Sequence, residues 1–254
     1  MSENKAMKKI VGDMFLDIAD SIETGQFGKK VKVGLTTLGS EHGTENLVKG
    51  AELALGSGID FEIVLIGPKP ENSKFKVVEV EEEDQMHKKM EELLASGEID
   101  ACVTMHYNFP IGVSTVGRVT TPALGKEMFI STTTGTSSVH RTEAMVKNAI
   151  YGIISAKAVG IENPTVGILN IDGARPVETA LKELKKNGYD INFGGSVRAD
   201  GGAVMRGNDL LAGAADVMVM DSLTGNIMMK MITSFNTGGS YEACLLYTSD
   251  AADE

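Results

Sequence analysis

The sequence contains no tryptophan, only 5% aromatic residues, and two cysteines in 254 positions. So few aromatics leave no stacking platform of the kind that holds single-stranded nucleic acid. Two cysteines cannot build a disulfide framework, so the fold must rest on its own core, and a reducing cytoplasm is the expected compartment. The four histidines are scattered, and neither CxxC nor HExxH occurs, so no metal centre is expected. No apolar run approaches the roughly 18–20 residues that cross a bilayer, which excludes a membrane-spanning helix. The opening MSENKAMKKIVGDMFLDIAD has Asp13 and Asp17 where a secretory leader would be apolar, so no leader is expected. Positive charge is also short. Lys and Arg total 24 against 35 acidic residues, a net charge of −11. That balance argues against non-specific nucleic-acid binding and against anionic membrane surfaces. Small anions stay open, because helix N-termini read them locally.

What is present is an ordinary globular balance, 42% apolar and 23% charged, with 29 glycines. Short, nearly continuous apolar runs predict strands at 31–35, 61–67, 100–105, 128–134, 165–171, 191–195 and 216–220. Helical patterns fall between them, at 5–24, 44–56, 84–96, 141–160 and 175–187. Thr44 and Asp84 read as N-caps, and Pro176 and Gly188 as start and stop signals. The acidic VEVEEED (78–84) reads as an exposed edge strand and its turn. The alternation predicts an α/β fold, three-layered, with a mostly parallel sheet and helices on both faces. One domain over 1–243 is expected; were there two lobes, the helix at 141–160 would divide them. The last eleven residues, CLLYTSDAADE, share no pattern with the rest and resemble translated sequencing-adapter read-through, so 244–254 is read as a non-native tail. Without its three acids the balance is 24 against 32, or −8, still acidic.

Ligands of parallel sheets bind beyond the carboxyl ends of the strands, so the loops there are the candidates. After the first strand come Gly39, Ser40, Glu41 and His42, just before a helix. After the third come His106 and Asn108, while Cys102 lies inside that strand and reads as a small buried hydrophobe. After the fourth comes STTTGTSSVHR (131–141), seven hydroxyl residues around one glycine. Thr134, Gly135, Thr136 and Ser137 could cradle an oxyanion there, with Arg141 closing it. Asp172 and Arg175 flank a glycine after the fifth strand. Asp221, Thr224, Gly225 and Asn226 follow the last, an anion site with a general acid or base. Each loop taken singly also reads as a capped polar turn; recurrence at one sheet edge is what points to a site. There is no GxxxxGK[ST] loop and no GxGxxG after the first strand, so ATP and NAD have no fingerprint and no cofactor is expected.

Two stretches, GSEHGTENLVKGAELA and NDLLAGAADVMVMDSLTGNIMMK (208–230), resemble the PlsX-like phosphate acyltransferases. A narrower resemblance is carried by LTTLGSEHG, IDACVTMHYNFPIGVSTVGRV, KEMFISTTTGTSS, NPTVGILNIDGARPVE and VRADGGAVMRGNDLLAG. Together, from about residue 5 to Ala243, these look like the alpha subunits of component C of glycine/sarcosine/betaine reductase complexes. Ser222 and Leu223 stand where the broader family has Gly-Phe, which favours the reductase subunits over the lipid enzymes.

The resemblance implies a PlsX/phosphotransacetylase-like fold, incomplete at the C-terminus, and a phosphate acyltransfer activity. In such complexes a selenoprotein component delivers a carboxymethyl group, a thiolase-like beta subunit makes an acetyl thioester, and the alpha subunit helps pass the acetyl group to inorganic phosphate. It further implies that the acyl-accepting thiol lies beyond this chain, so the fragment alone is expected to be inactive. The expected cradle is 131–141 with Thr224–Asn226. Asp221, Asn226 and His42 are the expected catalytic groups, Asp221 or His42 steering phosphate protonation. The alternatives are an acyl-carrier-protein-dependent phosphate acyltransferase and a non-catalytic subunit that stabilises its partner.

Overall fold

The computed structural model describes residues 12, 15, 30–40, 43–58, 60–71, 73–105, 107–199 and 201–239. The expected helix at 5–24, apart from residues 12 and 15, and the tail at 244–254 lie outside the described residues. The chain divides into two compact units, Met1–His106 and Tyr107–Glu254. The helix expected as a divide lies wholly inside the second unit.

The first unit carries a four-stranded parallel sheet in the order β3-β2-β1-β4. Its strands are β1 (Val31–Thr36), β2 (Phe61–Gly67), β3 (Lys76–Glu79) and β4 (Ala101–Val103). In β2 every residue from Ile63 to Gly67 is buried, which is why its apolar run is continuous rather than alternating. Helix α1 (Thr44–Leu55) covers one face, where Leu35, Ala51, Ile63 and Leu65 cluster with Leu47 and Val48. Helix α2 (Glu83–Ser96) buries Met86, Met90 and Leu93 and ends at Gly97 in the left-handed conformation. The acidic stretch does supply the edge strand, β3, whose charges discourage pairing with another chain. The expected N-caps are not found. The helices open after Gly43 and Glu82, neither of which caps through its side chain. The Thr44 hydroxyl instead donates back to the Thr37 carbonyl at 2.9 Å.

The second unit is built on a longer sheet in the order β5-β6-β10-β7-β8, with β9 paired to the far half of β7. Its strands are β5 (Ser114–Thr120), β6 (Glu127–Gly135), β7 (Thr165–Leu169), β8 (Asn192–Phe193), β9 (Val204–Met205) and β10 (Val217–Val219). Only β5 runs antiparallel to its neighbour. It was not expected, because as a half-exposed edge strand STVGRVT carries little apolar pattern. Side chains alternate between two cores. Phe129, Val166, Ile168, Val217 and Val219 pack under helices α3 (Arg141–Ala158) and α4 (Ala174–Lys186). Met128, Ile130, Leu169, Met218 and Met220 pack under α5 (Gly207–Ala212) and α6 (Ser222–Asn236). The three-layer expectation therefore holds in this unit. Met128, Met145, Met205, Met218 and Met220 are fully buried. Gly152 lets α3 lie flat on the sheet, since a Cβ there would fall 2.3 Å from Val217 Cγ1. Among the described residues no helix is long and apolar enough to cross a membrane.

Candidate functional site

Three parallel strands of the second unit, β6, β7 and β10, each run into a helix at the same sheet edge. The helices are α3, α4 and α6, of 18, 13 and 15 residues. Each N-terminus carries the partial positive charge of its helix dipole. Arg141, the first residue of α3, joins the other two loops. Its Nε donates to the Asp172 carbonyl at 3.1 Å and its Nη2 to Asp221 Oδ2 at 2.9 Å. Asp221 also caps α6: Oδ1 accepts from the Thr224 N–H at 3.0 Å, and Oδ2 from the Thr224 hydroxyl at 2.9 Å. Arg141 spends two of its five N–H donors on these bonds. Its side chain stays 48% exposed, against 19% for Asp221. The result is an open rim on which a fixed carboxylate holds the Arg141 guanidinium.

Three of the expected loops are thus brought together, but several side chains serve otherwise than expected. Asp221 already holds three donors, so its part here is to cap α6 and anchor Arg141. Asp172 contributes its backbone carbonyl, and its side chain is exposed. Arg175 turns along its own helix to Glu178 at 3.0 Å. Lys182, then Arg175, hold the Glu178 carboxyl below the usual carboxylate range against the opposing effect of burial. In the hydroxyl-rich stretch, Ser131, Thr132, Thr133 and Ser137 are buried. Their hydroxyls bond the Asn148 carbonyl, the Thr115 carbonyl, the Thr115 hydroxyl and Asn148 Oδ1 respectively. Ser137 is therefore part of the scaffold, not a surface a ligand meets. Thr134 and Gly135 are half-buried and Thr136 is exposed. Thr224, in the first turn of α6, and Asn226, just past it, lie half-buried, and Gly225 is buried against β6.

Gly39 and Ser40 belong to the first unit, where the Ser40 carbonyl closes a turn with the Gly43 N–H at 3.1 Å. Glu41, His42 and His106 lie outside the described residues, and Asn108 is exposed. Asn148 was missed. Its signal was a lone amide on the apolar stripe of α3, among Met145, Ala149, Gly152 and Ile153. Among the described residues no group of three or more His, Cys, Asp or Glu could hold a metal ion.

Cys102, inside β4, is poorly placed to act as a nucleophile. Burial pushes its thiol from 9.0 up to about 11, with a backbone bond from Thr36 pulling weakly the other way. At pH 8 its thiolate fraction should be on the order of 100-fold below that of an unperturbed thiol. Iodoacetamide should therefore label the native chain slowly and the unfolded chain fast; equal rates would contradict this. The sign for stability follows. Below 9.0 neither state ionises, whereas above it the unfolded thiol ionises first, so stability falls as pH rises towards about 11.

A family model described as "Fatty acid synthesis protein" matches residues 31–250. The chain is 72% identical over 236 residues to the "Glycine/sarcosine/betaine reductase complex component C subunit alpha" of Peptoclostridium acidaminophilum, covering 93% of this chain and 61% of that protein. It is 29% identical over 235 residues to the "Phosphate acyltransferase" of Thermotoga petrophila, covering 79% of this chain and 67% of that one. Among solved structures, a branched-chain phosphotransacylase from Enterococcus faecalis V583 matches with a TM-score of 0.57 at 16% identity, over 82% of this chain and 85% of that one. That likeness establishes a shared α/β fold. The chain spans about three-fifths of the length of the first of these relatives.

Proposed function

The chain belongs to the fatty acid synthesis protein family, and from that premise we propose that it is the subunit of an amino-acid reductase complex that passes an acetyl group from an enzyme-bound thioester to inorganic phosphate. A phosphate oxygen attacks the thioester carbonyl carbon. The C–O bond forms, the C–S bond breaks, and the products are acetyl phosphate and a free thiol, which takes up a proton. Such a site must hold a phosphate dianion and stabilise the oxyanion that forms on the carbonyl. The observation that carries the reading is Arg141, bonded to both Asp172 and Asp221 where three helix N-termini meet. Phosphate takes the open side of that rim, with Thr134, Gly135 and Thr136 at its border. Thr224 and Gly225 spend their N–H groups on Asp221, so of the α6 start Asn226 is assigned the oxyanion donor, and Asp221 positions Arg141. The 72% identity to a component C alpha subunit supports the reductase assignment over the lipid one.

Because the acyl-accepting thiol is expected beyond this chain, the test supplies the thioester from outside: the chain is combined with a thiolase-like partner subunit carrying an acetyl thioester and with inorganic phosphate, and acetyl phosphate is followed by phosphorus NMR. Acetyl phosphate should appear only when chain, partner and phosphate are all present. Thioester loss without it, or equal yield without this chain, overturns the reading. Faster reaction from an acyl-carrier-protein thioester would assign the chain to lipid synthesis instead.

A further inference from the structure

Asn148 lies midway along α3 and is 2% exposed. Burying a carboxamide in an apolar layer is costly unless its hydrogen bonds are made. Here they are made to two different loops. Nδ2 donates to the Met220 carbonyl at 3.0 Å, and Oδ1 accepts from the Ser137 hydroxyl. The backbone carbonyl of Asn148 also accepts from Ser131 Oγ at 2.5 Å. The proton order along the chain is forced. A carbonyl only accepts, so Nδ2 must face Met220, which leaves Oδ1 for Ser137. Ser137 must then donate to Asn148, so across their 2.7 Å contact Ser114 donates to Ser137.

The two tethered points are the two sides of the anion rim. Ser137 lies four residues before Arg141, and Met220 lies immediately before Asp221. The half-exposed Arg141–Asp221 ion pair contributes little and cannot hold the loops in register by itself. Leaving the buried Ser137 hydroxyl without its acceptor costs more, and the Met220 carbonyl would keep only a long bond from the Thr132 N–H at 3.4 Å. We propose that Asn148 is the positioning residue of the anion site, a buried brace that holds the 136–140 loop and the start of α6 in one arrangement so that Arg141 and Asp221 meet. The proposal rests on the phosphate reading above for its functional consequence, and on the hydrogen bonds of Asn148 alone for the brace.

Two variants and two measurements test it in the whole chain. Asn148→Leu keeps the branched shape, with bulkier methyl groups, and removes both tethers. It should weaken inorganic phosphate, titrated calorimetrically well below the thermal midpoint, on the order of tenfold or more. Hydrogen exchange of the 136–138 and 222–224 amides should speed up together. Asn148→Asp keeps the acceptor for Ser137 but, when ionised, has no proton for Met220. Its affinity relative to the wild type, taken at each pH so that phosphate's own titration cancels, should be poor at pH 8 and recover as the buried carboxyl protonates towards pH 5.5. A residue that merely supports folding would show no such pH-dependent ratio. A folded Asn148→Leu that binds phosphate within about twofold of the wild type, or exchange that quickens in only one loop or neither, overturns the proposal. Should Asn148→Leu fail to fold, a flat pH ratio for Asn148→Asp overturns it. A wild type that binds no phosphate overturns the phosphate reading instead, and the exchange result still decides the brace.

Discussion

Gly225→Ala should lose phosphate binding entirely and at least about 3 kcal/mol of stability. A Cβ at this position would fall 1.8 Å from the Thr132 carbonyl oxygen and 2.8 Å from its carbon. Both are backbone atoms of β6, so no side chain can swing aside. The helix must lift, and lifting it pulls the Thr224 N–H and hydroxyl off Asp221. It also opens the core in which Ile232 packs with Met128, Ile130 and Met218. The opposing gain is the better helix propensity of alanine, about 1 kcal/mol, and it is outweighed. Thermal unfolding followed by far-UV circular dichroism is the measurement. An alanine variant as stable as the parent would mean that α6 does not rest on β6 as described.

Arg141→Ala should have a large effect on function and a small one on stability. The ion pair it breaks is half-exposed and contributes little to folding. Phosphate, by contrast, loses a charge-assisted donor, of order 1.5–3 kcal/mol, and meets an Asp221 carboxylate no longer neutralised. Together these should weaken phosphate, and slow acetyl phosphate formation, by roughly 100-fold. Arg141→Lys restores the charge but not the planar fork that reaches Asp172 and Asp221 at once, so it should recover only part of the loss. Adding Asp221→Asn to Arg141→Ala should recover some affinity by removing the repulsion. Titration with phosphate at two salt concentrations measures all four. Arg141→Ala binding within about threefold of the parent would remove the arginine from the site.

Where a stretch of sequence is buried on both sides, its structure was legible from composition alone. FEIVLIG is a strand over the expected residues because both of its faces are covered. STVGRVT was missed because an antiparallel edge strand packs on few neighbours and needs no apolar run. The rule that ligands sit beyond parallel strand ends pointed to the stretches at 131–141, 170–178 and 221–226, and Arg141 of the first bonds Asp172 and Asp221 of the other two. Composition could not show how each residue is used there. Thr44 and Asp84 look like caps, yet the chain turns before them, and Thr44 spends its hydroxyl on Thr37. Ser137 looks like a ligand group and Asn148 like a flaw in an apolar helix. Their mutual bond crosses eleven positions of sequence and exists only once α3 lies on the sheet. Asp172 contributes a carbonyl, which no side-chain pattern encodes.

The thioether-rich layer beneath α6 has a practical spectroscopic consequence. With no indole present, fluorescence gives no convenient report of folding or ligation. Isotope-labelled methionine methyl groups can replace it. Met145 sits in the core under α3 and α4, whereas Met128, Met218 and Met220 sit in the core under α6. All four are shielded from solvent, so their resonances should be dispersed by fixed surroundings. Adding phosphate to one labelled sample would then show which layer of the second unit responds.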